Sequence, residues 1–373
     1  HGHVFVGANV PFGLVQVGPT SIPQTWDWCS GYHASDSTVI GFSHTHLSGT
    51  GIGDLFDVTV MPVTGDVTYA RGEEADPASG LWSYADRTQE IARPGYYSVP
   101  LTRYGIRAEL TATARVGLHR YTFPASDAAA VVFDLENGGC WDKATETHLA
   151  KEGDRTVTGW RHSTGWAKDQ RVYFVAEFSK PFEKFETIGD NYARASFRTT
   201  DGEQVSLKVA LSPVSVEGAK ANLAAELSGW DFDATAKAAD KAWNDELSKV
   251  KITTADETAR RIFYTALYHT MIAPSLFCDV NGDYRGADGK VHENLGRDTY
   301  TTFSLWDTYR AAMPLMTVLH PERMPDIIQT MLHIADEQGR LPVWHLWGNE
   351  TDCMVGNPGI VAVADAIVKG IGG

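Results

Sequence analysis

The feature that most constrains this chain is a change of hydrophobic period between residues 219 and 225. Before it, Tyr104, Ile106, Ala108, Leu110 and Ala112 alternate with polar neighbours, as do Val205, Leu207, Val209 and Leu211. A period of two puts each set on one face of an extended chain, so these segments read as half-buried antiparallel strands. Residues 14–17, 58–61, 116–123, 129–135 and 172–178 form further strand-like runs, separated by Gly, Pro, Asp and Ser clusters. A large β-sandwich without a helix of any length is expected there.

After the change the texture is Ala, Lys, Glu and Leu, strong helix formers, through residues 234–250, which read as a linker helix. Thr254 with Glu257 forms a capping box for a second helix carrying Ile262, Phe263, Ala266, Leu267 and Met271, with Pro274 as its stop. A third is expected from Ser304, with Asp307 as box partner and a kink at Pro314, to about Leu319. A fourth spans 322–338 with Gly339 at C′, and a last begins near Ile360 and runs to Gly372-Gly373. The expected division is a β-sandwich over 1–228, a linker helix over 229–254 and the start of a helical domain over 255–373. Helices with broad apolar faces and no closing partner leave apolar surface wet, which is expected of a truncated helical domain.

With 373 residues, two cores are within reach, and 43% hydrophobic against 21% charged residues is a globular balance. A formal charge of -15, from 32 Lys and Arg against 47 Asp and Glu, excludes a nucleic-acid backbone or an anionic membrane surface as partner. No apolar run reaches the ~18 residues of a membrane span. Cys29, Cys140, Cys278 and Cys353 lie far apart without a C-x-x-C pair, against a zinc knuckle or a disulfide scaffold. Of 11 Trp, 14 Tyr and 15 Phe, most serve as core; the rest are available to stack on the apolar faces of sugar rings.

Common catalytic signatures are missing. There is no G-x-S-x-G elbow, and the glycines of residues 48–53 lack the Lys and following helix of a phosphate loop. Asp279, Asn281 and Asp283 mimic the start of a calcium loop, but Tyr284 and Lys290 stand where Gly and Glu are required, so a tight turn is expected. His44 and His46 share a strand face without a third metal donor nearby and read as structural or sugar-contacting histidines.

Two segments point to sugar. Residues 26–33 gather Trp26, Asp27, Trp28, Tyr32 and His33 beside Gly31. Indole faces with short hydrogen-bonding groups suit a carbohydrate pocket; the alternative is a rigid polar turn bracing the sandwich. Residues 344–352 bring Glu350 and Asp352 between two helices, and Trp306, Asp307 and Arg310 open an earlier helix. Glu350 and Asp352 could be an acid/base pair or could bind sugar hydroxyls, whereas Asp307 could simply cap its helix or pair with Arg310.

These blocks, with Val10-Pro11-Phe12-Gly13, residues 40–51, 263–286 and 302–354, resemble the signature blocks of the calcium-dependent α-mannosidases of glycoside hydrolase family 92, essentially along the whole chain. The resemblance implies a β-sandwich packed on an (α/α)6 barrel, with exo-acting, inverting removal of terminal α-linked mannose, α-1,2 linkages foremost, from mannose-containing glycans. It implies Ca2+ as cofactor, a secreted, periplasmic or cell-surface setting, and Trp26, Trp28, Trp306, Asp307, Glu350 and Asp352 as substrate-binding residues. The family's acid lies in a Thr-Glu-(Ala/Gly)-Asn-Ala-Trp-Gln-like segment and its base in a Gly-Asn-(Asp/Glu)-Asp-Cys-Gly-like one; neither occurs here, so both, with the calcium ligands, are expected beyond Gly373. Two departures are Phe5-Val6-Gly7 for Phe-Pro-Gly, and Asn357-Pro358-Gly359 where Tyr-His-Ser is usual. Alternatives are a non-catalytic carbohydrate-binding module or scaffold, and an (α/α)-barrel glycosidase for another sugar.

Overall fold

A computed structural model describes residues 2–139 and 141–371, so His1, Cys140 and Gly372-Gly373 lie outside the described residues. The alternating segments do form two antiparallel sheets. One has the order Gly18–Thr20, Gly41–Ser43, Thr59–Thr64, Ser126–Asp134, Tyr192–Thr199, Lys184–Ile188. The other runs Lys143–Glu152, Thr156–Thr164, Gln170–Phe178, Glu203–Ser212, Val116–Phe123, Ile106–Ala112, Tyr96–Leu101, Ile91–Arg93. Their apolar faces meet in one core, where Phe133 of the first sheet stacks on Phe174 of the second with centroids 6.2 Å apart.

The expected strand at 14–17 is shifted: Val17 makes an isolated bridge to Ala8, and the strand proper begins at Gly18, opposite Ser43. Leu14 and Val15 are buried, but Val15 donates to the Ala114 carbonyl, so burial rather than a ladder explains their apolar character.

A helix does occur before residue 228. Helix α1 (Val216–Glu226) is capped by Ser215, whose side chain accepts from Gly218 N, and packs Ala219 and Leu223 on Val116, Leu118, Val175 and Ala210. It covers the outer face of the larger sheet, which explains why Val175 is apolar out of turn. Helix α2 (Phe232–Leu247), the expected linker helix, is anchored by buried Trp243, whose Nε1 donates to the Asn9 carbonyl at 2.7 Å.

Helix α3 (Glu257–His269) starts at Asp256, not at Thr254: the Asp256 carboxylate accepts from Thr258 N and Ala259 N, while the Thr254 hydroxyl only accepts from Asp256 N. A carboxylate two residues nearer the helix is the stronger acceptor for its unpaired N–H groups. The helix ends before Pro274 because the sandwich takes the following carbonyls: Phe12 N donates to Met271 O and Gln16 Nε2 to Ile272 O.

The helix expected from Ser304 is broken into α4 (Leu305–Thr308) and α5 (Ala312–Leu319). Pro314 has no N–H for the Arg310 carbonyl, and its ring crowds that turn, so the break falls four residues before the proline. Helix α6 (Met324–Gln338) ends at Gly339 with a left-handed φ of 83°, and α7 (Pro358–Val368) packs on α5 and α6. Between them, Phe303–Ser304, Trp344–Leu346 and Asn349–Glu350 form a three-stranded sheet. Core packing runs from the sandwich into this unit without interruption, through Trp243, Met271, Ile327 and Trp344.

Candidate functional site

The segment of residues 26–33 begins as a single turn, Trp26–Trp28. Asp27 is held between His3 Nε2 at 2.6 Å and His33 Nε2 at 2.9 Å, and the hydrogen bond from His33, then that from His3, draws its carboxyl below the usual range. Trp28 stacks on His33 at 3.9 Å and donates from Nε1 to Asp36 at 2.8 Å, so one indole face is already covered. Trp26 differs: it is 63% exposed and meets the ring of His3 edge-on, at 4.6 Å.

Trp26 lines a cleft with Pro23, Gln24, Gly51, Gly53, Arg71 and Trp141. Trp141 is 59% exposed and its backbone N donates to Gly53 O, while Arg71 Nη2 holds the Gly138 carbonyl. Leaving two indoles open to water costs burial free energy that a ligand's apolar face would recover. Trp141 and Arg71 were not legible in sequence; a lone Trp after two glycines was the one available signal.

Beneath this cleft, Arg161 is fully buried and binds Asp57 at 2.7 Å and Asp142 at 2.8 and 2.9 Å, with its Nε on the Leu135 carbonyl. His44 and His46 are core groups. His44 meets Val58 O and His119, His46 meets Gln16 O, and burial pulls their pKa values down to about 3 and 4.

The small sheet brings the other four candidates together. Ser304, beside Trp306 and Asp307, pairs with Trp344, and His345 pairs with Glu350. Trp347-Gly348 makes the two-residue turn with φ of 47° and 79°, a primed turn that matches strand twist. Glu350 accepts from Val343 N at 2.8 Å, Trp344 N at 2.9 Å and Asp352 N at 3.2 Å, so it braces the hairpin. Asp352 is exposed and paired with Lys168 and Arg340. Asp307 accepts from Ser304 Oγ at 2.6 Å and is otherwise open, beside the 40% exposed Trp306, while Arg310 lies over Tyr309.

The sandwich reaches this hairpin directly. Trp166 packs on Trp344 at 4.2 Å, and Asp169 and Asn349 exchange two hydrogen bonds of 3.0 Å.

Calcium asks for six to eight oxygen ligands. Among the described residues one trio of possible donors converges, Glu246, His320 and Glu322. Lys249 Nζ already fills it, 2.8 Å from Glu246, 3.2 Å from Glu322 and 3.3 Å from His320 Nδ1. Asp279 points inward to Ser212 and Asn222, and Asn281 binds Asp283, so that loop is a turn. The residues present do not fit a calcium ion.

An antiparallel sandwich joined to a helical unit, with open indoles on one side and loop carboxylates on the other, defines a carbohydrate-active architecture of the glycoside hydrolase class. The chain belongs to glycosyl hydrolase family 92: residues 1–212 match the family's N-terminal domain and residues 218–373 its catalytic domain. It is similar to a family GH92 alpha-mannosidase from Bacteroides thetaiotaomicron, with 36% identity and a TM-score of 0.94 over 100% of this chain and 53% of that one. That enzyme has also been solved in complex with mannoimidazole. A family GH92 inverting mannosidase from the same species shares 28% identity with a TM-score of 0.87, over 99% of this chain and 50% of its own. A curated relative from Arthroderma benhamiae, described as an uncharacterized secreted glycosidase, is 25% identical over 99% of this chain and 48% of its own length. The chain thus spans about half the length of these relatives. No helix among the described residues is long and apolar enough to cross a membrane.

Proposed function

We propose that this chain is the substrate-binding part of an exo-acting α-mannosidase that removes terminal α-linked mannose, α-1,2 linkages foremost, from mannose-containing glycans with inversion. The observation that carries this reading is the likeness over the entire chain to an α-mannosidase solved with mannoimidazole. Trp26 offers the open aromatic wall for a pyranose face, with Trp28 behind it stiffened by His33. On this reading Trp306 supplies a second aromatic surface and Asp307 and Asp352 supply hydroxyl acceptors, while Glu350 holds the hairpin of residues 344–352 in shape.

Inversion requires a protonated acid at the leaving oxygen and a carboxylate that activates water from the opposite face. The segments expected to carry them do not occur in this sequence, and Glu350 spends its oxygens on backbone N–H groups. On this reading residues outside this chain supply the acid, the base and the calcium ligands, and the parent protein works outside the cytoplasm, as its relative's description as secreted supports.

An assay on an aryl α-mannoside with calcium tests the division of labour. The chain alone is expected to quench or enhance tryptophan fluorescence on mannose titration but to show no turnover. Turnover by the chain alone would move the acid and base to Glu350 and Asp352, and absence of any fluorescence response would remove the sugar assignment.

A further inference from the structure

Asp54 is 1% exposed and makes no ion pair among the described residues. Its Oδ1 accepts from Leu55 N and its Oδ2 from Ala167 N, both at 3.0 Å. Backbone closes around it: a Cβ on Gly139 would stand 2.7 Å from Asp54 Cα, and one on Gly165 would stand 2.8 Å from Asp54 Oδ1. On one side its neighbour Gly53 lines the indole cleft and accepts from Trp141 N. On the other side Ala167 is flanked by Trp166, which packs on Trp344, and by Lys168 and Asp169, which hold Asp352 and Asn349.

We propose that Asp54 is a positioning residue that clasps Ala167 N and thereby ties the indole cleft of the sandwich to the hairpin of residues 344–352. This rests on the reading of the cleft as a mannose-binding surface. The clasp is sensitive to protons. The groups facing it are Asp142, from the segment before Lys143–Glu152, and Asp57 from its own segment; Arg161 is already committed to both of those carboxylates, and on the clasped loop the exposed Lys168 and Asp169 are paired with Asp352 and Arg171. Burial, then the Asp142 carboxylate, raises the Asp54 pKa to about 7 from an ordinary 3.8. The closed clasp therefore retains a proton between pH 4 and 7 that an opened, hydrated carboxyl releases. Closure is favoured below this window and weakens as pH rises to 7.

Hydrogen exchange of residues 163–170 in the whole chain, from pH 5 to 8 and corrected for intrinsic rates, reads the clasp. Protection is expected to fall by up to about tenfold per pH unit on approaching pH 7 and then level off; Asp54→Asn, which cannot ionise and whose amide nitrogen cannot accept from one of the two backbone N–H groups, is expected to be flat and less protected than the natural chain at pH 5. Methyl α-mannoside affinity, followed by tryptophan fluorescence, is expected to weaken over the same range in the natural chain and to lose that pH dependence in Asp54→Asn. Protection independent of pH in the natural chain overturns the clasp without recourse to any variant. Protection that titrates while sugar affinity does not overturns the positioning role. If no mannoside binds at any pH, the reading of the cleft fails, whereas the exchange data still decide whether Asp54 holds the loop.

Discussion

Burial holds His44, His46 and His345 neutral, with pKa values pulled down to about 3, 4 and 4. In the unfolded chain each titrates near 6.5, so the unfolded state binds more protons between pH 4 and 6.5. The stability these groups contribute is complete above pH 6.5 and is lost as pH falls through that window. Burial also raises Asp54 to about 7, Asp279 to about 6, and Asp134 and Asp142, which favours the fold towards acid and opposes this, whereas His119, held well below its usual value by burial, adds to the histidine side. Urea unfolding is expected to show lower stability at pH 5 than at pH 7, by up to about 1.4 kcal/mol per pH unit for each histidine. Equal stability at both values would mean that these rings are not dry. Glu350 gives a second residue-level expectation. Because it accepts three backbone N–H groups, Glu350→Gln should cost about 1–3 kcal/mol in thermal unfolding. A pure hydroxyl-binding carboxylate would leave the melting temperature unchanged.

Among the elements, the start of α3 separates two capping schemes. Asp256→Ala is expected to destabilise by about 0.5–2 kcal/mol in denaturant unfolding, and Thr254→Ala by much less. The reverse order would restore the box that the sequence suggested. This helix shows where local reading stops. Strand Val116–Phe123 was legible to the residue as a run that stops at Pro124, with apolar residues on both faces, Val116 and Leu118 under α1 and Tyr121 and Phe123 in the sandwich core. Gly18–Thr20 was not, because glycine and proline are poor strand formers and only pairing with Gly41–Ser43 makes it a strand. Helix α1 was hidden because its apolar residues look like those of the strand before it. Of the candidate site, Trp26 and the residue 344–352 hairpin were visible as dense local motifs. Trp141 and Arg71 were not, since they join Trp26 only once the sandwich brings distant loops together. The backbone bonds that occupy Glu350 likewise depend on a hairpin register that a carboxylate in a string of letters does not reveal.

At the scale of the whole molecule, the sandwich and the helical unit share a core and a set of long-range hydrogen bonds. Trp243 Nε1 on Asn9 O spans 234 residues of sequence. Trp243→Phe keeps the ring and leaves that carbonyl unpaired, so a loss of about 1–3 kcal/mol is expected, with calorimetry still showing one transition. Two separated transitions in the natural chain would contradict the continuous core. The same contacts impose an order on biosynthesis. Asn9, Phe12 and Gln16 are synthesised more than 230 residues ahead of their partners Trp243, Met271 and Ile272. At about 5–20 residues per second they wait on the order of 10–50 s for them, a nascent chain with its seam unsewn. That interval is when a chaperone has most to protect.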